Sequence, residues 1–202
     1  GTTSGAGYAA TISALLGTVS GLDKTDLGTL ILTGNNLYTG DTRISGGTLQ
    51  LGDGGTSGSI VGNIENSGVL AFNRSDNISF SGIVSGSGSL VKRGGGVLSI
   101  SGTNSFSGTT MVEAGELEIR GGSSLSDSAR LTVASGALLT LVDSNETVGS
   151  LAGGGAVDLG NHCLTTGGDG TNSTFSGTLS GSGCVNKTGA GMLTLNGANT
   201  YS

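Results

Sequence analysis

His162 is the one histidine of this chain, and serines and carboxylates are available elsewhere in it. Those are the ingredients of a Ser-His-Asp nucleophile. The sequence does not complete it, because no Gly-x-Ser-x-Gly elbow is present. A single histidine also cannot build a His-based metal cluster, and no Asp or Glu spacing finishes one. His162 therefore reads as a polar residue in a turn. Asp41 with Arg43, and Arg74 with Asp76, are the charge pairs that polysaccharide cleavage on a β-helix would use. Their charges are sparse and sit beside turn glycines, so they read as solvated turns. Gly167-Gly-Asp-Gly-Thr-Asn172 and Gly52-Asp-Gly-Gly55 approach calcium-binding loops, but neither completes such a pattern or recurs. No catalytic, cofactor-binding or metal-binding residue is assigned.

Cys163 and Cys184 are the only cysteines, 21 positions apart. If the chain coils at close to that interval, stacked residues lie about 4.8 Å apart. That separation suits a disulfide, and an oxidising compartment permits one. Two separate buried thiols are the alternative.

The elements that would position these residues are short strands. Thr29-Leu-Ile-Leu-Thr33, Arg43-Ile44, Thr48-Leu-Gln-Leu51, Val69-Leu-Ala-Phe72 and Val97-Leu-Ser-Ile100 alternate with period two. So do Glu116-Leu-Glu-Ile119, Leu131-Thr-Val133, Leu138-Leu-Thr-Leu-Val142 and Met192-Leu-Thr-Leu195. Gly, Asn, Ser or Asp brackets most of them. In Glu116 to Ile119, Leu117 and Ile119 share one side and both glutamates the other, which makes a strand with one dry and one wet face. Tyr8 to Leu16 reads as a short helix or a degenerate strand, and residues 1–21 as a degenerate or capping coil.

One phrase recurs three times: Leu22 to Leu51, Leu90 to Ile119, and Val185 to Ser202. Lys24, Lys92 and Lys187 align. So do Leu30, Leu98 and Leu193; Gly34, Gly102 and Gly197; and Tyr38, Phe106 and Tyr201. The first two copies also match at Gly40 with Gly108 and at Leu49 with Leu117. Such recurrence implies a repeat architecture. The copies start 68 and then 95 positions apart. With roughly 23 residues per coil these are three and four coils, and the whole chain holds roughly nine. Phe80-SGIVSGSGSLVK-Arg93 echoes Phe175-SGTLSGSGCVNK-Thr188, so the Ser-Gly stretches read as turns rather than linkers. The expected fold is all-β, a parallel β-helix forming one segment over residues 1–202. A β-sandwich is the rival, and the repeat phase and the lack of proline favour the solenoid.

Composition narrows the function. Glycine supplies 42 residues, charged residues are 11% and aromatics 3%, fewer than a globular enzyme carries. The net charge of −6 argues against nucleic acid, since nothing here neutralises a phosphate backbone. No apolar run is long enough for a membrane-spanning helix. The chain stops inside a phrase, so it reads as a piece of a longer protein.

The phrase resembles the autotransporter-associated β-strand repeat of Gram-negative type V secreted passengers. Gly28-Thr-Leu-Ile-Leu-Thr-Gly34-Asn-Asn36 matches its start, Tyr38-Thr-Gly-Asp-Thr42 its middle and Gly47-Thr-Leu-Gln-Leu51 its end. In the second copy Val97, Phe106 and Glu116 depart from it. The third keeps Gly191 to Tyr201. The resemblance implies a right-handed parallel β-helix at the bacterial surface or secreted. It implies an adhesive, non-enzymatic role toward host surface, extracellular matrix or another copy of the same chain. A C-terminal barrel outside this chain would supply the membrane attachment. A carbohydrate-active β-helix enzyme and an inert stalk are the competing readings. Secreted serine proteases of that system carry a Gly-Asp-Ser-Gly string, and Gly52-Asp53-Gly54-Gly55 has glycine at the nucleophile's place.

Overall fold

The computed structural model describes residues 7–17 and 20–202. Among them are 23 strands of two to five residues and no helix. Every strand pair is parallel, and partners lie about one coil apart in sequence: Ala9 opposite Thr29, Thr29 opposite Thr48, Thr48 opposite Val69. The chain is a parallel β-solenoid of about nine turns with three sides.

The first side is one ten-stranded sheet running from Ala9–Ile12 to Leu193–Leu195. The second is a six-stranded sheet from Ile78–Phe80 to Thr178–Ser180. The third is split. Four strands run from Leu22–Lys24 to Val84–Ser85, and three from Glu146–Val148 to Cys184–Lys187. Each alternating run read from the sequence forms a strand. Ala9–Ile12 is also a strand, not a helix, paired with Thr29–Leu32. The rest of the expected capping coil is only partly visible, since residues 1–6 and 18–19 lie outside the described ones.

Each turn is too small to enclose a core by itself, so its apolar side chains stack on those of the next turn. Leu49, Leu70, Leu90 and Leu131 line the first side inwardly, and Leu98, Leu117, Leu139, Val157 and Leu179 the second; all are 0–1% exposed. Backbone closeness dictates some glycines. A Cβ on Gly108 would stand 2.2 Å from the Gly88 carbonyl oxygen of the preceding turn.

The coil is shorter than the spacing of the phrases suggests. First-side partners follow one another closely, from Thr29 to Thr48 at the tightest and from Gly153 to Phe175 at the widest. Leu30 and Leu193 both lie on this side, eight strand intervals apart. That spacing makes one coil about 20 residues, at the short end of solenoid repeats. Leu98 lies on the second side. The first interval between phrases is thus three coils and one side, and the second is four coils and two sides. The expectation of a longer coil, with the phrases a whole number of coils apart, fails for one reason. A three-sided turn accepts the same phrase on any of its sides.

Candidate functional site

We number the turns from one to ten, each starting at its first-side strand. The phrase contributes three internal devices. The first is an asparagine two residues before the aromatic. Asn36 Oδ1 accepts from the Leu16 amide at 2.9 Å, and its Nδ2 donates to the Ser59 carbonyl at 3.1 Å. Asn104 accepts from Val84 N–H at 2.7 Å and donates to Ser124 O at 2.8 Å. Asn199 accepts from Leu179 N–H at 2.9 Å. Each amide bonds the turn before its own, and the first two also bond the turn after. They sit where a side of the solenoid has no strand and only isolated backbone bonds, such as Asn36 N–H to Ser59 O and Ser105 N–H to Val84 O, join the turns, so the side chain supplements a sparse ladder. In the first and third copies that gap falls on the second side, and in the middle copy on the third.

The second device is the lysine. Lys92 is 2% exposed and donates to the carbonyls of Arg93, Gly94 and Ala114 at 2.8, 2.9 and 3.1 Å. Lys24 curls in the same way onto Asp26 O and, on the next turn, Gly46 O. Lys187 donates to Thr188 O and Gly189 O. In the first two copies the ammonium gathers the carbonyls of a corner from two turns. Gly115 must enter that corner with φ of +66°, and a Cβ there would lie 2.8 Å from Lys92 Nζ. Burial depresses the Lys92 pKa to about 8, against the opposing pull of Glu116.

The third device is the aromatic. Tyr38 and Phe106 are 1% and 0% exposed, and Tyr38 Oη lies 2.7 Å from Thr42 Oγ1. Tyr201 packs partly buried against the core. These rings fill the core and form no surface stripe.

Glu146, 2% exposed, opens the third-side strand Glu146–Val148 that follows the middle gap. Its carboxylate accepts from the amides of Ser124 and Thr147, each at 3.1 Å. Burial raises its pKa to about 7, the amide bonds opposing and the Asp127 charge reinforcing that rise. No feature of the sequence singles it out.

His162 lies in a turn, with Nε2 3.3 Å from Val142 O. Asp41 and Arg43 are exposed, and Arg43 stands 3.6 Å from Glu65. Arg74 departs from the solvated reading: it is 5% exposed. It donates to Gly58 O at 2.9 Å, Thr56 O at 2.6 Å and both oxygens of Asp76, clamping the 52–58 loop. In the Gly167–Asn172 stretch, Asp169 Oδ1 accepts from Thr171 N–H and Oγ1–H. A shallow polar depression on the second side includes Ser99, Glu118 and Arg120. Its charges answer one another, since Arg120 donates to Glu118 at 3.0 Å and to Ser99 at 2.8 Å. Cys163 and Cys184 are register partners on the third side, with Cα atoms 4.4 Å apart and their sulfurs bonded.

A rod of stacked turns, with one phrase wound inside it at two azimuths, is a repeat-built scaffold that offers side surface rather than a cleft. The family model described as passenger-associated-transport-repeat matches residues 22–51, 90–119 and 185–202. The chain is also similar to the Adhesin BmaC autotransporter of Brucella suis biovar 1 (strain 1330). The two are 41% identical over 101 residues, which cover 50% of this chain and 3% of that protein. No solved structure gives a significant match. Three stretches of the chain thus match passenger-associated transport repeats, and half of the chain is similar to a short part of an autotransporter adhesin.

Proposed function

We propose that this segment is an adhesive, non-enzymatic part of a passenger, attaching to host surface or matrix, or to neighbouring bacteria. One observation carries the reading. Residues that recur between copies point inward, as Leu49, Leu98, Phe106, Leu117 and Lys92 do at 0–2% exposure. Outward positions differ from copy to copy: Leu37, Ser105 and Thr200 occupy the same place in the phrase. The repeat therefore builds the rod and leaves its surface free to specialise. The adhesin name of the similar Brucella protein supports the same reading. Weak contacts repeated along a rod add up by raising effective concentration.

The test removes residues 22–184 from the complete passenger, eight whole turns that bring Val185 into the register of Leu22, and counts bacteria attached to host cells and matrix. Loss of attachment, with surface display preserved, is expected. Unchanged attachment and unchanged aggregation would favour the second reading, an inert spacer, to which the inward-facing repeat also lends itself.

A further inference from the structure

Four exposed apolar side chains lie on successive turns at the second side and its corner with the third. Leu15, Leu37, Val61 and Ile83 are 57%, 60%, 42% and 44% exposed. Leu37 and Val61 continue the register of the Asn35–Ser59 bridge, and the Ile83 carbonyl accepts from Ile64 N–H. The fold does not require these residues. Ser105 and Thr200 stand at the Leu37 position in the other copies, and Ser81 follows Val61 one turn on. Exposed apolar side chains gathered in this way mark contact surfaces.

The neighbouring positions suggest what covers them. The outward column of the third side reads Asp23, Arg43, Glu65, Ser85. The corner column between the sides has Asp41 on turn two and Asn63 on turn three, joined through the Thr42 N–H to Asn63 O bond. A twofold axis between turns two and three exchanges those turns. It sets Leu37 against Val61, Arg43 against Glu65 and Asp41 against the Asn63 amide, all in one operation. Arg43 and Glu65 are 61% and 55% exposed and only 3.6 Å apart within the chain, a loose pair that is free to exchange partners. Elsewhere the chain's charge of −6 sets two copies against each other.

We propose that this ridge, the corner of the second and third sides with the outward columns that flank it over turns one to four, binds a second copy of the chain in antiparallel orientation. The contact is isologous, since the same patch serves both partners. Four turns at about 4.8 Å make a short strip, so the single contact is weak and gains strength from many rods on one cell surface. The inference rests on the adhesive reading above and names its partner.

Sedimentation velocity of the 202-residue chain over a concentration series tests it. The wild type is expected to pass from monomer to dimer. Leu37→Ser with Val61→Ser should raise the dissociation constant by at least about tenfold, a change of ~1.4 kcal/mol. Arg43→Glu should weaken the dimer, and Arg43→Glu with Glu65→Arg should restore it. Circular dichroism of each variant verifies the fold. A wild-type chain that stays monomeric at millimolar concentration overturns the proposal, as does a dimer that none of these substitutions affects. If host attachment persists in the complete passenger carrying Leu37→Ser and Val61→Ser, the adhesive reading stands without this surface.

Discussion

At the residue scale, the interior is not simply apolar. Asn104, Ser124 and Glu146 follow one another at the head of the third side over turns five to seven, all 5% exposed or less. Each answers backbone groups that have no ladder partner there. Asn104→Ala leaves the Val84 amide and the Ser124 carbonyl unpaired, which should cost about 1–3 kcal/mol. A denaturant titration that shows no change in midpoint would contradict the bridging role. Glu146 gives a second test. Its folded pKa of about 7 lies above the ordinary 4.5, so the folded state holds this proton more tightly. Its contribution to stability is complete below pH 4.5 and is lost as pH rises through 7, up to about 3 kcal/mol in all. The thermal midpoint should fall between pH 4.5 and 7, and Glu146→Gln should flatten that fall. Lys92 has the opposite sense. Its folded pKa of about 8 lies below 10.5, so its contribution rises only above pH 8 and leaves the acidic window untouched.

At the element scale, legibility follows side length. Each side of the solenoid is a third of a coil, and only part of it forms strand. Runs such as Thr48–Leu51 and Glu116–Ile119 show a full alternation and are readable. Glu146–Val148, Ser173–Phe175 and Cys184–Lys187 are polar or too short to show one, and stacking against neighbours defines them. The asparagine bridge does have a signal, Asn two places before the aromatic in all three copies. Its role stays hidden because a bridge between turns exists only once the coil length is known. Arg74 escapes a sequence reading for a related reason: the loop that buries it comes from the preceding turn. The cysteines belong to this scale as well, since they tie the third-side strands of turns eight and nine. We propose that the bond forms in the exported protein. Unreduced chain should then take up no alkylating label and reduced chain two labels, read by intact mass. A loop of this length contributes about 3 kcal/mol, so reduction should lower the melting temperature. Two labels on the unreduced exported chain would refute the bond.

At the scale of the molecule, the rotation of the middle phrase by one side has a structural consequence. Every phrase brings a strandless side, and two such gaps on one turn would leave one sheet to hold it. Among the described residues the second side has no strand in turns one to three and ten, and the third side none in turns five and six. The gaps never meet in a complete turn, so at least two sheets cross every complete turn while the first side runs through unbroken. Hydrogen exchange should report this arrangement directly. Burial is alike on the three sides of turns five and six, where Leu90, Leu98 and Phe106, then Val112, Leu117 and Leu125, are all 0–1% exposed. If continuous ladders govern local opening, amides at 104–106 and 123–125 should exchange at least about tenfold faster than those of Ser89–Arg93, Val97–Ile100 and Glu116–Ile119, because their bonds, such as Asn104 N–H to Ser123 O and Ser105 N–H to Val84 O, stand alone outside any strand. Asn104→Ala should widen the difference while leaving the first side slow. Uniform protection around these two turns would mean that core stacking, rather than the ladders, holds the rod together.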